Sequence, residues 1–145
     1  MMKRIFCEIE RCLACRSCEL ACAAAHSVPR PRIRVEAIDE KGSFHRVRAI
    51  AIQCRHCEDP ACAWACISGG IRKDRETGYI TFSLEQCVGC WSCIMVCPVG
   101  AITRNEEMHQ ALKCDRCPDL ELPACISACP TSALILSEDA VMEKR

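Results

Sequence analysis

The sequence predicts an α+β protein in which short strands alternate with cysteine-rich loops and short helices. Sixteen of the 17 cysteines in the 145-residue chain fall into four groups of four, and each group ends in Cys-x-x-x-Cys. The segments between the groups show the apolar–polar alternation of short strands. Aromatic residues make up only 4% of the chain, so its organic core is thin, and bound inorganic groups would complete that core.

The spacing within the groups predicts iron–sulfur ligation. The third group is followed by Pro98 and reads C-x-x-C-x-x-C-x-x-x-C-P, the run by which bacterial ferredoxins bind clusters. Four groups of four thiolates predict four [4Fe-4S] clusters. The groups are Cys12, Cys15, Cys18 and Cys22; Cys54, Cys57, Cys62 and Cys66; Cys87, Cys90, Cys93 and Cys97; and Cys114, Cys117, Cys125 and Cys129.

Disulfides and zinc are the other common uses of so many cysteines. A secreted disulfide scaffold is disfavoured because residues 1–7 lack the apolar segment of a signal peptide, the cysteine gaps are short, and the number of cysteines is odd. Structural zinc sites commonly use two separated Cys-x-x-Cys halves, without a third ligand close behind. A structural zinc-binding interaction module remains an alternative.

Charge and hydropathy limit the classes of partner. The formal net charge of the polypeptide is zero, and four clusters with their thiolates would add about −8, at about −2 each. An acidic holoprotein does not favour nucleic acid as a partner. No stretch of the sequence approaches the roughly 18 apolar residues of a membrane span. We therefore expect no transmembrane segment and a cytoplasmic location, with membrane association only through partner proteins.

Short strands and turns are predicted between the cysteine groups. The alternation places Ile5 and Cys7 on one face of the first strand, and Ile33 and Val35 on one face of the second. The predicted elements are strands at 3–9, 32–38 and 44–52, a turn at 77–78 before a strand at 79–82, and a short helix after residue 137.

The closing Cys-x-x-x-Cys pairs predict short helices. Residues i and i+4 lie on one helix face about 5–6 Å apart, so one helix could contact two clusters. The predicted pairs are Cys18/Cys22, Cys62/Cys66, Cys93/Cys97 and Cys125/Cys129. Pro98 and Pro130 would end two of these helices, and each is followed by a turn that leads into a strand. The repeated units predict two fused ferredoxin-like modules built around the clusters.

Three local patterns resemble a known family. They are Cys12-Leu-Ala-Cys-Arg-Ser-Cys-Glu-Leu-Ala-Cys22, Cys54-Arg-His-Cys-Glu-Asp-Pro-Ala-Cys62, and Lys113-Cys-Asp-Arg-Cys-Pro with Pro123-Ala-Cys-Ile-Ser-Ala-Cys-Pro130. With the third group they resemble the four-cluster ferredoxin-like electron-transfer subunits. Those subunits serve carbon monoxide dehydrogenase, hydrogenases, formate dehydrogenases, tungsten aldehyde oxidoreductases and dimethyl sulfoxide reductase. The compact length and Cys22-Ala-Ala-Ala-His26-Ser27 look most like the carbon monoxide dehydrogenase iron–sulfur subunit.

The resemblance implies a nested ligand set. It places Cys12, Cys15, Cys18 and Cys129 on one cluster; Cys114, Cys117, Cys125 and Cys22 on a second; Cys54, Cys57, Cys62 and Cys97 on a third; and Cys87, Cys90, Cys93 and Cys66 on a fourth. The chain would be one four-cluster unit over residues 1–145, with module A at 1–30 and 105–145 and module B at 31–104. The spacing alone leaves sequential pairing of the groups open.

The resemblance also implies the function. We expect an electron-transfer component without catalysis of its own, which relays single electrons between a catalytic oxidoreductase subunit and a second redox protein. Carbon monoxide dehydrogenase is the expected catalytic partner, with aldehyde or formate oxidoreductases or a hydrogenase as further candidates. The second partner would be a flavoprotein, a hydrogenase or a membrane subunit. A free-standing polyferredoxin remains an alternative.

A few residues near the groups carry separate predictions. Cys66 is followed by Ile67-Ser-Gly-Gly instead of the proline usual in the family, so its turn could differ. Cys7, the leftover cysteine, is predicted to pack in the core.

The remaining predictions concern histidine, tryptophan and arginine side chains. His56 is predicted to pack or to hydrogen-bond near a cluster, while His26, His45 and His109 would be surface or capping residues. Trp64 and Trp91 would shield clusters from water. A solvated strand face is predicted for five arginines, with a docking patch or a counter-charge for clusters as alternatives: Arg30, Arg32, Arg34, Arg46 and Arg48.

Overall fold

The computed structural model describes residues 2–38 and 48–138. The helices are α1 (Ser17–His26), α2 (Ala61–Trp64), α3 (Ser92–Val96) and α4 (Ala124–Ser127). The strands are β1 (Arg4–Cys7), β2 (Arg34–Ile38), β3 (Arg48–Ile52), β4 (Ile71–Lys73), β5 (Ile80–Phe82), β6 (Thr103–Asn105), β7 (Gln110–Leu112) and β8 (Leu134–Ser137). The helix predicted after residue 137, the start of the strand predicted at 44–52, His45 and Arg46 lie outside the described residues.

The strands pair in twos. In the described part of the chain there are four two-stranded antiparallel sheets, which join β1 with β8, β2 with β3, β4 with β5, and β6 with β7. Three of these pairs connect strands that follow each other, whereas β1 and β8 come from opposite ends of the described chain, with Arg4 opposite Ser137. This mixture of short helices and small sheets agrees with the predicted α+β class.

Cysteines form a large part of the buried interior, as the thin apolar composition predicts. The first core contains Ile5, Cys18, Cys22, Ile33, Val35, Ala49, Ala51, Cys125 and Leu134. The second core contains Ile71, Ile80, Cys93, Ile102 and Ala111. A bridge between them consists of Cys54, Ala101 and Cys114, with Ile52, Cys97 and Val99 packed against it.

The first core includes the β2–β3 pair. Val35 and Ala51 pack with Ile5 of β1 and Cys18 of α1, while Ala111 of β7 packs in the second core. The packing therefore differs from the predicted module ranges at these two places, because apolar faces group by contact and not by position in the chain. The division into two modules stays a prediction.

The predicted helices are shorter than expected at three of four places. Cys18 and Cys22 both lie in α1, whereas Cys97 directly follows α3, and Cys66 and Cys129 lie two residues beyond α2 and α4. The prediction that every closing pair shares one helix is wrong for these three groups. The alanines at 23–25 continue α1 past its fourth cysteine, because alanine is the best helix former.

The predicted strands are confirmed in position, with shorter bounds. β1 covers residues 4–7 of the predicted 3–9, because Ile9–Arg11 form a short 3-10 helix. The turns after Pro98 and Pro130 lead into β6 and β8 as predicted. The predicted turn at 77–78 precedes β5, and Gly78 there has a φ of 75°.

Candidate iron–sulfur sites

All 17 cysteines are free thiols, and the fold gathers the sixteen grouped ones into four sets. Two sets line cavities near the surface. Cys12, Cys15, Cys18 and Cys129 line one cavity together with the ungrouped Cys7, and Cys66, Cys87, Cys90 and Cys93 line another. Cys15 and Cys90 are exposed. We call these two sets the outer sites.

The other two sets contain no exposed cysteine, and four of their eight thiols are buried. Burial raises the pKa of Cys125, and the charges of Cys114, Cys22 and Cys117, followed by that of Cys18 in the adjoining outer set, would raise it further. Cys62 has the same relation to Cys54, Cys97 and Cys57. Cys54 of one set and Cys114 of the other belong to the bridge between the two cores. We call these two sets the inner sites, and they adjoin each other through that bridge.

Each set therefore combines three cysteines of one group with the last cysteine of another. The first group is joined by Cys129 and the fourth by Cys22, while the second is joined by Cys97 and the third by Cys66. These combinations are the ones implied by the resemblance. The structure describes where the thiols lie, and the assignment of ligands stays a proposal.

The backbone around the sets repeats a pattern that suits a cluster. In the two compact groups, left-handed residues occupy the second and fourth positions after the first cysteine: Ala14 and Arg16, and Gly89 and Trp91, with φ between 56° and 67°. In the expanded groups, His56 and Arg116 are left-handed at the second position, and their N–H groups each donate to the thiol two residues before, at 3.4 Å. Loops that turn their N–H groups toward sulfur fit [4Fe-4S] ligation.

Comparison with known proteins agrees with this geometry. The family described as 4Fe-4S dicluster domain matches residues 46–139, which is more than half of the chain. The protein belongs to this family. Its members bind [4Fe-4S] clusters, so the cluster type is the one that the spacing predicted.

Several relatives match most of this chain. An "Iron-sulfur protein" of Rhodospirillum rubrum is 39% identical, over 90% of the chain and 79% of its own length. The B subunit of anaerobic dimethyl sulfoxide reductase of Escherichia coli is 35% identical, over 89% of the chain and 70% of its own length. The "Electron transport protein HydN" of the same species is 32% identical, over 99% of the chain and 93% of its own length.

These names support an iron–sulfur electron-transfer component without catalysis of its own, as predicted. They do not mention carbon monoxide dehydrogenase, so that finer resemblance stays a proposal. None of the helices in the described part of the chain is long and apolar enough to cross a membrane.

Hydroxyl groups flank the exposed thiols of the two outer sites. The Sγ of Cys15 lies 3.4 Å from the Oγ of Ser17, and this hydrogen bond lowers the pKa of the Cys15 thiol. Ser92 lowers the pKa of Cys90 in the same way. The hydroxyls thus favour the thiolate form, which is the form that binds metal.

Burial has the opposite effect on thiols of both the outer and the inner sites. It raises the pKa of Cys114 to about 12, and those of Cys18 and Cys93 to about 11. Thiols that resist ionisation to this degree in the interior need a bound cation to hold them as thiolates. The interior thiols therefore fit iron ligation better than free thiolate chemistry.

A charged network lies beside one inner site and was missed in part by the sequence analysis. The ring nitrogens of His26 contact the carbonyl oxygen of Cys22 at 2.8 Å and the carboxylate of Asp115 at 2.9 Å. The guanidinium of Arg32 forms an ion pair with the same carboxylate. The backbone N–H of Arg32 donates to the Sγ of Cys22 at 3.3 Å. His26 caps α1 as predicted, but it is largely buried.

The arginine segment is therefore mostly paired within the protein. Arg32 pairs with Asp115, Arg34 with Glu36 at 2.9 Å, and Arg48 with Glu10 at 2.9 Å. The side chain of Arg32 is 12% exposed, so the solvated strand face is wrong for this residue. Its position at Cys22 agrees with the counter-charge alternative.

His56 packs near a cluster site, as predicted. Only 2% of it is exposed, and burial, with the charge of Lys113, lowers its pKa to about 3. Its Nδ1 accepts a hydrogen bond from the N–H of Ile80 at 3.0 Å. The neutral ring therefore carries its proton on Nε2, for which the described residues supply no hydrogen-bond partner.

Two buried polar residues precede the expanded groups, and the sequence analysis missed both. Lys113 is 1% exposed and Gln53 is 6% exposed. Each stands directly before the first cysteine of its group, and each reaches a backbone carbonyl of a strand that is distant in the sequence. The only signal in the sequence was their shared position, since burial depends on how distant strands pack.

Three further predictions meet different outcomes. Cys7 packs against the first core as predicted. Trp91 lines the cavity of the outer site at Cys90, with the guanidinium of Arg104 5.2 Å from its ring centre, which agrees with a shielding role. Trp64 is 81% exposed, so it does not shield a site, because its indole N–H turns outward to Asp59 at 2.8 Å.

The turn after Cys66 does not depart from the others, so that expectation is wrong. Gly69 donates to the carbonyl of Cys66 at 3.2 Å, as Gly100 does to Cys97 at 3.1 Å and Ser132 to Cys129 at 3.2 Å. All three donors are left-handed, with φ of 67°, 61° and 51°. The glycine at 69 lets the chain adopt this conformation without the preceding proline.

Proposed function

We propose that the protein relays single electrons through four [4Fe-4S] clusters between a catalytic oxidoreductase subunit and a second redox protein. The observation that carries the proposal is the order of the four thiol sets. Cys15 of one outer site and Cys90 of the other are exposed, while the inner sites between them meet at Cys54 and Cys114. Such a series leads from one surface to another.

The ligand sets we propose are the four described above. Cys12, Cys15, Cys18 and Cys129 would hold one outer cluster, and Cys66, Cys87, Cys90 and Cys93 the other. Cys22, Cys114, Cys117 and Cys125 would hold one inner cluster, and Cys54, Cys57, Cys62 and Cys97 the second. With the two modules fused at the bridge, the chain would form a single four-cluster unit over residues 1–145.

The protein's own residues would fix and tune this relay. A bound [4Fe-4S] cluster accepts and releases one electron. Hydrogen bonds to sulfur and burial set the potential at which it does so. Ser17 and Ser92 supply hydroxyl donors at the exposed outer thiols of Cys15 and Cys90, whereas no inner thiol is exposed. The two kinds of site would therefore differ in potential.

Exposed apolar side chains lie beside both outer sites, where partners would dock. Leu13 and Leu20 are 64% and 73% exposed near Cys15. At the other outer site, Val88 is 63% exposed and Met95 is 80% exposed near Cys90. Large exposed apolar groups commonly mark protein interfaces. Two such surfaces favour a subunit between two partners over a free-standing polyferredoxin, which remains the second candidate.

The partner itself is proposed from the relatives. The B subunit of anaerobic dimethyl sulfoxide reductase and the electron transport protein HydN point to an oxidoreductase complex. Carbon monoxide dehydrogenase is the catalytic partner we propose, on the resemblance at Cys22–Ser27, with aldehyde or formate oxidoreductases or a hydrogenase as the other choices. The second partner would be a flavoprotein, a hydrogenase or a membrane subunit.

Two measurements test the proposal. Anaerobic purification followed by iron and acid-labile sulfide analysis should give about sixteen of each per chain, as four [4Fe-4S] clusters require. Zinc without sulfide would instead establish a zinc-binding interaction module. An anaerobic pull-down from the native host should recover a catalytic oxidoreductase subunit, and a monomer without any partner would favour the polyferredoxin.

A further inference from the structure

Lys113 is a charged residue in a place where charges are costly. It is 1% exposed and lies beside the bridge between the two cores. A buried ammonium requires compensation, because its removal from water costs several kcal/mol. Among the described residues no carboxylate lies within ion-pair distance of Lys113. The compensating negative charge must therefore come from another source.

The hydrogen bonds of Lys113 show which groups it faces. Its Nζ donates to the carbonyl oxygen of Ile80 at 2.8 Å and to that of Cys114 at 2.9 Å. An ammonium has three donors, and these two bonds use two of them. The carbonyls hold the ammonium in position, but they carry only partial charges.

The groups near Lys113 that can become negative include thiols of both inner sites. The Nζ of Lys113 bonds to the carbonyl oxygen of Cys114 at 2.9 Å, and Cys114 packs with Cys54 in the bridge. Cys54 lies in one inner set and Cys114 in the other. One ammonium thus acts on two sites that adjoin each other.

Gln53 provides a natural comparison for this position. It precedes Cys54 as Lys113 precedes Cys114, and its Nε2 donates to the carbonyl oxygen of Ile5 at 2.8 Å. Ile5 lies seven residues before Cys12, as Ile80 lies seven residues before Cys87. The fold therefore makes the same strand-anchoring contact twice, once with a neutral amide and once with a cation. Anchoring alone does not require the charge.

We propose that Lys113 is a shared counter-ion of the two inner clusters, which raises their reduction potentials above the values that the thiolate sets alone would give. The inference rests on the proposed four-cluster function. A cluster with four thiolates carries about −2 when oxidised and gains a further negative charge on reduction. A fixed positive charge beside two such groups stabilises their reduced forms, so electrons would be held preferentially in the middle of the relay.

The test is an anaerobic potentiometric titration followed by electron paramagnetic resonance, on the whole chain and on Lys113→Gln. The substitution removes the charge and keeps an amide that can bond to the carbonyl of Ile80, as Gln53 bonds to that of Ile5. We expect the midpoint potentials of two of the four clusters to fall by at least 59 mV each. For a one-electron reduction this shift is a tenfold change in the equilibrium constant. The midpoint potentials of the other two clusters should change by less than that amount. Lys73→Gln, which removes an exposed charge on β4, should leave all four unchanged.

The reverse substitution keeps the proposal testable if Lys113→Gln does not fold. Gln53→Lys adds a cation at the matching position and should raise two midpoints. Unchanged midpoints in either folded variant, or an equal shift of all four, would overturn the counter-ion role. Iron and sulfide analysis of the unsubstituted chain separates the two proposals: fewer than four clusters there contradicts the proposed function, whereas four clusters with no shift contradict only the role of Lys113.

Discussion

The fourth cysteine of every group accepts a hydrogen bond from the backbone that follows it. The donors are the N–H groups of Arg32 for Cys22, Ile71 for Cys66, Ala101 for Cys97 and Ala133 for Cys129, at 3.2 to 3.4 Å. For the last three cysteines the donor follows four or five residues later in the chain. The backbone must therefore leave the helix and turn so that this N–H group points at the sulfur. This requirement explains why α2, α3 and α4 end before the fourth cysteine.

Substitution of Cys22 tests the proposed ligand sets. Cys22→Ser should remove the inner cluster that also uses Cys125, with on the order of a quarter of the iron. The same resonance signal should therefore vanish in Cys22→Ser and Cys125→Ser, and a different one in Cys18→Ser. Paramagnetic resonance of the reduced variants makes the comparison.

Each alternative scheme gives a different pair of matching variants. If Cys22→Ser removes the signal that Cys62→Ser removes, the groups pair sequentially. If it matches Cys18→Ser, each group binds its own cluster. Cys7→Ser is the control, because Cys7 packs against the first core without belonging to any set of four, and it should keep all four signals.

At this scale the sequence predicted the sixteen thiols and missed their surroundings. Spacing identified every cysteine of the four sets, because a cluster loop imposes local distances. His26, Gln53 and Lys113 could not be assigned in the same way. Their partners lie 89, 48 and 33 residues away in the chain, so their burial follows from how distant segments meet.

At the scale of elements, the same turn follows three of the groups despite different sequences. Cys-Pro-Val-Gly, Cys-Pro-Thr-Ser and Cys66-Ile-Ser-Gly all place a left-handed residue three positions after the cysteine. Strands and turns were therefore predictable from local residue types. The helix ends were not predictable in this way, since they depend on hydrogen bonds to sulfur that local residue types do not predict.

Ile67→Pro tests whether the missing proline matters. Ile67 is the second residue of its turn, where proline is favoured, and the N–H groups that reach the Cys66 thiol belong to Ser68, Gly70 and Ile71. The substitution removes no such donor. We expect the free energy of unfolding to rise by about 0.4–1 kcal/mol, through a less flexible unfolded chain. Anaerobic denaturant unfolding measures it, and a loss of iron in the variant would contradict the prediction.

Gly89→Ala should have the opposite effect. A Cβ at Gly89 would lie 2.4 Å from the carbonyl oxygen of His109, and the residue has a φ of 67°. Gly78→Ala is the matched control, because Gly78 is also left-handed but its Cβ would meet only Met2 Sδ at 3.5 Å. The control should lose about 1–2 kcal/mol, the usual cost of that conformation. Gly89→Ala should lose more, together with iron from the outer site at Cys90, and equal losses in the two variants would contradict the clash.

At the scale of the whole molecule, cysteines make up six of the 17 buried residues in the two cores and the bridge. Each of the two cores and the bridge contains at least one buried cysteine. A chain that places metal ligands in every part of its core should fold only with its metal. We expect anaerobic removal of iron by a chelator to abolish most of the far-ultraviolet circular dichroism. Reduction without chelation is the control, and an apoprotein that keeps its native spectrum would contradict the expectation.

The pairing of β1 with β8 has a consequence for how the protein is made. Residues 4–7 leave the ribosome before the other strands, yet their partner at 134–137 follows after more than a hundred residues. Thiols at 54–97 can meet as soon as that stretch has emerged, whereas Cys12, Cys15 and Cys18 must wait for Cys129. Iron insertion would then proceed from the middle of the chain outward, and the cysteines made earliest would be the last to be protected from oxidation.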